Sequence, residues 1–375
     1  MNSISGFEEP TTRLGYHTTM TNETPQPTLL KAVVCDLHPT YFAMVMATGI
    51  VSIAAYKLGL PPIAYGLFYL NCMTYGVLAV LHALRLCWFP HRALSDLHDH
   101  SRGPGYFTWI ASTAVLGTQC VMLVNAYTVA LVLWVLACLL WVGITYTFFT
   151  LFIIKKTKPP LEDGINGAWL LAVVATQSVS VLSAHMASEW LEPYRLEVNF
   201  LALSMWLWGG MLYIWMIALI FYRYYFFHFS PKDLSPPFWI SMGAMATSTL
   251  AGSLLIANSP DAPYLDSLLP FLKGFTVFFW ATGTWWIPML LLLALWRHVV
   301  KGLSVKHNPL YWGAVFPVGM YTVATEKMTQ AMQLEFLQII PQVFLYIALL
   351  VWTVTFLGLL VSMLQTVRAR KSRTS

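Results

Sequence analysis

The sequence predicts an all-α integral membrane protein with ten transmembrane helices arranged as five helical hairpins. Three observations support this prediction. The chain of 375 residues is 58% hydrophobic and only 10% charged, a composition that excludes an ordinary soluble domain. Ten apolar segments follow one another, each long enough to cross a bilayer as a helix of about 20 residues. Basic residues fall almost entirely in alternate loops between these segments.

The chain begins with a polar segment that differs in composition from everything after it. Residues 1–34 are rich in Thr, Glu, Asn and Pro, and they lack the charged start and short apolar core of a secretory signal. They are predicted to form a disordered cytoplasmic tail. Residues 35–365 are predicted to form one transporter or channel domain, and residues 366–375 a basic cytoplasmic tail. The ten predicted spans cover residues 37–59, 62–85, 104–126, 128–153, 165–187, 198–222, 237–257, 268–296, 309–326 and 339–364.

Lysine and arginine residues indicate the orientation of the predicted spans. Only four of the 21 bases lie in the loops on one side, namely Lys57, Arg195, Lys273 and Lys327. The other 17 lie on the side that holds both termini. Because basic loops stay in the cytoplasm, both termini are predicted to be cytoplasmic and the odd-numbered spans to run outward. Carboxylates outnumber bases on the outer side, which favours net export of an anion over uptake.

An internal repeat distinguishes the odd spans from the even ones. Each odd span is preceded or opened by proline, which suits the first turn of a helix, and each carries small residues four positions apart. The even spans are rich in Leu, Trp and Phe. Close helix packing explains a single stripe of small residues. Five stripes, all on odd spans, favour a pore ring of five inner helices surrounded by an outer ring of even helices.

The ninth span contains a candidate gate at Phe316. Gly313 and Gly319 lie three residues before and after this ring, and Pro317 follows it directly. Proline cannot donate its backbone N–H, so Pro317 frees the carbonyl of Gly313 and bends the helix. A freed carbonyl must face protein or a water-filled cavity inside a membrane, so this stretch is predicted to face inward. The alternative is that Phe316 is an ordinary packing ring against a neighbouring helix.

Hydroxyl and amide side chains on the odd spans are candidates for a pore lining that replaces the hydration of an anion. Taken singly, each hydroxyl is more commonly bonded to its own helix. The inner spans carry almost no ionisable groups between their ends, which argues against a proton relay in mid-membrane. The candidates are Thr48, Thr113, Thr176, Gln177, Ser180, Thr247 and Ser248.

The starts of the five odd spans are predicted to gather anions at the cytoplasmic mouth. A helix N-terminus carries a partial positive charge of about half an elementary charge, and five such ends would converge there. Nearby bases would add a basic rim. The predicted rim consists of Arg102, Lys155, Lys156, Lys158 and Lys306.

Neither a metal site nor a cofactor is predicted. The five cysteines resemble small core residues instead of a disulfide or zinc framework. A cluster of histidines and aspartates after the second span has a mixed spacing that fits no closed zinc pattern, so a solvated loop is favoured there. The cluster consists of His91, Asp96, His98, Asp99 and His100.

Four further residues near the ends of the odd spans have open roles. His38 and His185 could sense pH, because histidine titrates near neutrality, although a mouth-lining or structural role is favoured. Glu326 and Lys327 are predicted to form a local ion pair or an interface anchor.

Five stretches together resemble the tellurite-resistance/C4-dicarboxylate transporter family, which includes bacterial tellurite-resistance proteins, yeast malate and sulfite transporters and plant slow anion channels. They are HPTYFAMVMATGI, NGAWLLAVVATQSVS, PPFWISMGAMATS, WATGTWWIP and YWGAVFPVG. The resemblance implies a ten-helix, five-hairpin fold, a homotrimer in the cell inner membrane, and one pore per protomer closed by a phenylalanine of the ninth helix. Phe316 matches that residue.

The function expected from this resemblance is transport of small anions or organic acids, such as malate, with the lipid bilayer as surroundings and no nucleic-acid partner. The alternatives are a proton-coupled C4-dicarboxylate carrier and an exporter of sulfite or tellurite. An enzyme is not predicted, because the sequence has no paired inner-span carboxylates, HExxH, bis-histidine haem pattern or CxxC. A receptor-like module stays open, but it would not explain small residues on all five odd spans.

Overall fold

The computed structural model describes residues 29–231, 233–302 and 309–374, and this part of the chain consists of helices joined by short turns. Residues 1–28 of the predicted disordered tail lie outside the described residues. Residues 29–34, assigned to the same tail, instead belong to a short helix, Leu29–Asp36. The backbone of residues 366–374, the predicted basic C-terminal tail, continues the last helix as far as Thr374.

Ten long helices, here numbered α1 to α10, correspond to the ten predicted spans. Three short helices, Pro90–Leu97, Leu161–Gly164 and Pro263–Ser267, lie between them, and a π-helical turn, Trp296–Val300, follows α8. The long helices are α1 (Ala43–Lys57), α2 (Pro61–Trp88), α3 (Phe107–Val124), α4 (Tyr127–Ile154), α5 (Leu171–Glu189), α6 (Arg195–Phe226), α7 (Ile240–Ala257), α8 (Leu269–Leu295), α9 (Trp312–Met332) and α10 (Ile339–Thr374).

Nine helices within the described ranges are long and apolar enough to cross a membrane, as expected of an integral membrane protein. The helix missing from this set is α9, which carries the predicted ninth span. Its glycines, threonines, Pro317, Glu326 and Lys327 make it less apolar than the other nine. Protein surrounds α9 along most of its length, so it does not need the apolar surface of a lipid-facing helix.

Each odd helix is preceded by a 3₁₀ turn, a feature that the sequence did not predict. Proline is accepted there because the first N–H groups of a helix have no intrahelical partner. Every one of these turns also contains an aromatic residue. These residues are Tyr41, Tyr106, Trp169, Phe238 and Tyr311. The turns are Pro39–Phe42, Gly103–Tyr106, Gly167–Leu170, Pro236–Trp239 and Pro309–Tyr311.

These turns mark the start of a repeated unit. The first unit is a segment of 19 residues, Pro39–Lys57, and four later segments correspond to it position by position when the aromatic residues of the turns are superimposed. They are residues 104–122, 167–185, 236–254 and 309–327. Equivalent positions in these five segments recur in the packing described next.

The odd helices form the buried part of the molecule. Helix α1 packs against α3, α3 against α5, α5 against α7, α7 against α9, and α9 against α1. The even helices cover them: α2 packs on α1, α4 on α3 and α5, α6 on α5 and α7, α8 on α7, and α10 on α9 and α1. In their most apolar windows, 94% of residues are buried in α5 and α7, against 22% in α8. The apolar side chains of the even helices are therefore the lipid-facing ones.

Indole groups on the even helices donate hydrogen bonds to hydroxyl groups on the odd helices. Equivalent repeat positions accept these bonds: Thr48 and Thr176 hold one position, and Ser183 and Thr325 lie seven residues further along their units. The pairs are Trp352 with Thr48 at 3.0 Å, Trp141 with Thr176 at 2.8 Å, Trp134 with Ser183 at 2.8 Å and Trp280 with Thr325 at 3.1 Å. These four bonds tie even helices to the odd helices that they cover.

Candidate functional site

Two cavities lie one after the other along the odd helices. We call the side on which the odd helices begin the amino face, and the side on which they end the carboxyl face. The amino-face cavity has a volume of about 210 Å³ and is lined mainly by the first turns of α1, α5, α7 and α9 and the residues just before them. The carboxyl-face cavity, of about 20 Å³, is lined by later turns of all five odd helices. The five helices therefore run in the same direction.

The carboxyl-face cavity shows the repeat most clearly. Every odd helix contributes three residues, spaced i, i+3 and i+7, which lie on one face of a helix. They occupy the same three positions of each repeat unit: Ile50, Ile53 and Lys57; Val115, Thr118 and Met122; Ser178, Val181 and His185; Thr247, Leu250 and Leu254; Met320, Val323 and Lys327. The walls are apolar, and three of the five outermost residues are basic or histidine.

One helical turn closer to the amino face, the equivalent positions form a closed layer. This layer consists of Met46, Ala111, Val174, Gly243 and Phe316, and all five residues are buried. On α9, Gly313 lines the amino-face cavity and Met320 lines the carboxyl-face cavity. At 1.5 Å per residue these two positions are about 10 Å apart. Phe316 lies between these two positions along α9, and its ring is fully buried and lines neither cavity.

The residues around Phe316 bring α9 close to its neighbours. A Cβ atom on Gly243 of α7 would lie 2.8 Å from Cγ of Pro317, and one on Gly319 would lie 3.0 Å from Cγ2 of Ile50 in α1. Pro317 and Gly319 are thus contact points with α7 and α1. Gly313 has more room, because a Cβ atom there would lie 3.7 Å from Cα of Pro237. Of the four residues predicted to form the gate, Gly313 lines a cavity and Phe316 is fully buried one turn further along α9.

The predicted polar lining is found largely elsewhere. Thr247 lines the carboxyl-face cavity, although its hydroxyl donates to the carbonyl of Gly243 at 2.8 Å. The other six candidates contact even helices or their own backbone, so the predicted lining is corrected for them. Thr48 and Thr176 accept from tryptophans, Thr113 lies 2.9 Å from the hydroxyl of Tyr75, Gln177 donates to the carbonyl of Trp206, Ser180 to that of Ala202, and Ser248 to that of Ala244.

The polar groups of the amino-face cavity are the residues just before the 3₁₀ turns. Asn166 Oδ1 accepts from the backbone N–H of Ala168 at 2.9 Å, and Ser235 holds the equivalent place before α7. Sequence reasoning missed both, although Asn and Ser before proline or glycine are a recognisable capping signal. Arg223, at the end of α6, also lines this cavity with Asp233, whose Oδ1 lies 3.8 Å from Arg223 Nη2.

His38 lines the amino-face cavity, where the sequence favoured a mouth-lining or structural role. Its Nδ1 accepts from the backbone N–H of Thr40 at 3.2 Å, which requires an unprotonated nitrogen. Burial, together with the positive charge of Arg102, lowers the pKa of His38 to about 4. His38 is therefore neutral at pH 7 and acts as a hydrogen-bond acceptor.

The predicted basic rim does not line this cavity. Arg102 Nε lies 2.7 Å from Asp96 Oδ1, and Lys155 Nζ donates to the carbonyl of His98 at 2.9 Å. Lys158 donates to the carbonyl of Ile153, and Lys156 is exposed. Lys306 lies outside the described residues. The base that does line the cavity is Arg223, because α6 ends beside the starts of α5 and α7.

The loop after α2, predicted to be solvated, contains the helix Pro90–Leu97 and a partly buried ion cluster. Asp96 Oδ2 accepts from Arg85 Nη2 at 2.5 Å, and the same carboxylate contacts Arg102. Asp99 Oδ1 accepts from the backbone N–H groups of Ser101 and Arg102, and His98 Nδ1 bonds to the carbonyl of Leu94. No group of three His, Cys, Asp or Glu residues suited to a metal is found in the described ranges.

The ion pair at the carboxyl-face mouth is not the one that the sequence predicted. Glu326 does not pair with Lys327, its chain neighbour; its Oε2 lies 3.4 Å from Nζ of Lys57 in α1. Consecutive residues on a helix point about 100° apart, so Glu326 faces α1 while Lys327 faces the cavity. His185, from α5, also lines this mouth.

Comparisons with known proteins place the chain in a family of membrane proteins. The family model for the voltage-dependent anion channels matches residues 36–360. An uncharacterized transporter of Methanocaldococcus jannaschii is 25% identical over 335 residues, which cover 87% of this chain and 93% of the relative. A sulfite efflux pump of Trichophyton rubrum is 24% identical over 346 residues, 86% of this chain and 90% of the pump. An uncharacterized membrane protein of Mycobacterium tuberculosis is 35% identical over 164 residues, 44% of this chain and 82% of the relative.

Proposed function

The chain belongs to the voltage-dependent anion channel family, and we propose that it passes small anions across a membrane along the axis of its five odd helices. One observation carries the proposal: on α9, Phe316 is fully buried between Gly313, which lines the amino-face cavity, and Met320, which lines the carboxyl-face cavity. A closed layer on an otherwise continuous path has the geometry of a gate.

The proposed pore is a ring of α1, α3, α5, α7 and α9, with α9 as the tenth membrane span and the even helices outside. Phe316 is the gate, and opening requires its ring to leave the layer. Pro317 and Gly319 hold the backbone of α9 against α7 and α1, so the ring can turn about its side-chain bonds while the helix stays in place. The protein is proposed to be a homotrimer with one pore per protomer, as in the family that the sequence resembles.

Anions are proposed to enter from the amino-face cavity, with that face in the cytoplasm of the cell and the membrane being the inner membrane. Asn166 and Ser235 bring helix starts to the cavity wall, and Arg223 adds a positive charge there. Of the residues that line the two cavities, Asp233 is the one carboxylate, and it faces Arg223. The helix starts at this face support net export of anions, and the single, paired carboxylate argues against a carboxylate proton relay.

The gate is tested by replacing Phe316 with alanine in protein reconstituted into liposomes. F316A is expected to increase chloride flux by about tenfold or more, the factor that corresponds to removal of about 1.4 kcal/mol from a barrier. F279A is the matched control, because Phe279 is equally buried but lies on α8, against Trp206. It is expected to lower stability by about 3–5 kcal/mol and to leave flux per folded protein unchanged. Equal flux in F316A and the wild type would refute the gate.

Sulfite is the second candidate substrate, because a relative that aligns with 86% of this chain is named a sulfite efflux pump. Malate, and a proton-coupled C4-dicarboxylate carrier, are further candidates from the family resemblance. Liposome flux with chloride, nitrate, sulfite and malate, each with and without a pH gradient, separates them. A channel is expected to show flux that follows the anion gradient alone. Uptake that requires the pH gradient would instead identify a proton-coupled carrier.

A further inference from the structure

The carboxyl-face cavity contains a hydroxyl group with no partner. Ser178 lines this cavity from α5 and is 3% exposed. Its Oγ is buried and makes no hydrogen bond within the described part of the chain. A buried hydroxyl without a partner is costly, so its presence in a cavity wall needs an explanation.

The other hydroxyls around this cavity have partners. Thr118 donates to the carbonyl of Ala114 at 3.0 Å, and Thr247 to that of Gly243 at 2.8 Å. On α5 itself, Ser180 donates to the carbonyl of Ala202, and Ser183 accepts from Trp134. Ser178 is thus set apart from its neighbours as a donor that is available to an occupant of the cavity.

Positive charge is concentrated at the outer end of the same cavity. Lys57 and Lys327 come from two different helices and hold the same position of the repeat unit. Glu326 pairs with Lys57, whereas Lys327 forms no ion pair with a described carboxylate, although Glu189 of α5 is near it. Of the two lysines, Lys327 is therefore the one left to attract an anion in the cavity.

An anion in this cavity needs a positive charge nearby, because the C-terminal ends of the odd helices repel it. The five odd helices end at the carboxyl face, and each helix C-terminus carries a partial negative charge of up to about half an elementary charge. An anion that leaves the closed layer moves toward these ends. Lys327, which forms no ion pair with a described carboxylate, offsets this repulsion at the outermost position of the cavity.

We propose that the carboxyl-face cavity binds a small inorganic monoanion, such as chloride, which accepts a hydrogen bond from Ser178 Oγ and is attracted by Lys327. The inference rests on the proposed function and specifies its substrate class. A cavity of about 20 Å³ holds one species of about the size of a water molecule. It therefore favours a small, largely dehydrated anion over a four-carbon dicarboxylate.

The test measures chloride binding and chloride flux on the full-length protein. Chloride is titrated at constant ionic strength, with gluconate as the replacement anion, and the melting temperature is followed in detergent. S178A is expected to raise the half-saturating chloride concentration about tenfold, the effect of losing a hydrogen bond to a charged group. K327Q is expected to raise it about threefold through the loss of a nearby charge.

Two control variants separate this site from general effects. Ser253 is buried on α7 and donates to the carbonyl of Thr249, and Lys273 is exposed on α8. S253A and K273Q are expected to bind chloride like the wild type. Wild-type affinity in both S178A and K327Q would overturn the site, as would an equal loss of affinity in the two controls.

The same samples separate failure of the site from failure of the proposed function. If the wild type carries chloride in liposomes and S178A has an unchanged half-saturating concentration, the site is wrong and the transport proposal stands. If chloride shifts the melting temperature of the wild type but not of S178A, and neither passes chloride, the site stands and chloride transport is wrong. Should S178A fail to fold, K327Q and the wild type still decide the outcome.

Discussion

Phe316 shares its layer with Met46, Ala111, Val174 and Gly243. Alanine and glycine at two of these places leave room for the aromatic ring, and Gly243 also accepts Pro317 against its backbone. Protein interiors have little free volume, so even one added methyl group is felt. The closed layer therefore depends on the smallest residues in it as much as on the largest.

Gly243→Ala is expected to destabilise the protein, because the new Cβ would lie 2.8 Å from Pro317 Cγ. Overpacking of this kind costs about 1–3 kcal/mol. Gly143→Ala is the matched control, since a Cβ atom on this exposed glycine of α4 meets nothing within 4 Å. It is expected to be neutral or slightly stabilising. Thermal unfolding in detergent measures both, and equal melting temperatures for the two variants would contradict the close contact between α7 and α9.

His38 predicts a pH dependence of stability. Its pKa is lowered to about 4 by burial and by Arg102, below the value of about 6.5 in an unfolded chain. Above pH 6.5 the residue is neutral in both states and has no effect. As the pH falls from about 6.5 to about 4, the unfolded chain takes up a proton that the folded one does not, so stability falls.

The check compares melting temperatures of the wild type and His38→Asn between pH 7.5 and pH 4.5. Asparagine keeps an acceptor for the N–H of Thr40 without titrating, so H38N is expected to lose less stability than the wild type over this range. His91→Asn, at an exposed residue of the helix Pro90–Leu97, is the control and is expected to follow the wild type. Identical pH profiles for all three proteins would show that His38 is not a buried neutral acceptor.

At the scale of helices, the sequence identified all ten long elements but not the faces they present. Proline before each odd span and the length of each apolar run were sufficient to locate them. The face is set by helix rotation, which depends on partners in other helices. Thr48 and Thr176 were candidates for a pore lining because of their residue type, yet Trp352 and Trp141 hold them against the even helices. No single span contains that information.

The bond between Trp141 and Thr176 is expected to couple α4 to α5. W141F removes the indole N–H that lies 2.8 Å from Thr176 Oγ1, and T176V removes the acceptor. A double-mutant cycle isolates their interaction, which is expected to be about 0.5–1.5 kcal/mol, as for a typical buried hydrogen bond. W285F is the control, because Trp285 is 51% exposed. A coupling energy near zero would mean that the two side chains do not fix the rotation of α5.

At the scale of the whole molecule, one helical repeat unit occurs five times, and equivalent positions of the five units carry side chains of different chemistry. The middle position of the path holds Phe316 in one unit and Gly243 in another, and the last position holds Lys57, His185 and Lys327 in three. Sequence alone revealed the repeat through its prolines and small residues. It could not reveal the two cavities or Ser178, because a cavity wall is made from five separate segments.

Parallel packing of the odd helices gives the molecule a polarity, and this polarity predicts which face is cytoplasmic. Lys156 lies exposed in the loop between α4 and α5 at the amino face, and Ser267 lies exposed at the end of the helix Pro263–Ser267 at the carboxyl face. Basic loops are retained in the cytoplasm, and the bases are concentrated on the amino face.

Single cysteines placed at these two positions in a cysteine-free variant report the orientation. A membrane-impermeant maleimide is expected to label Ser267→Cys in intact cells, and to label Lys156→Cys only after the membrane is permeabilised. The expected contrast in intact cells is about tenfold or more, because a charged reagent crosses hydrocarbon very poorly. The reverse pattern would place the amino-face cavity outside the cell. Arg223 and the helix starts would then gather anions from the medium, and the same electrostatic reasoning would predict uptake in place of export.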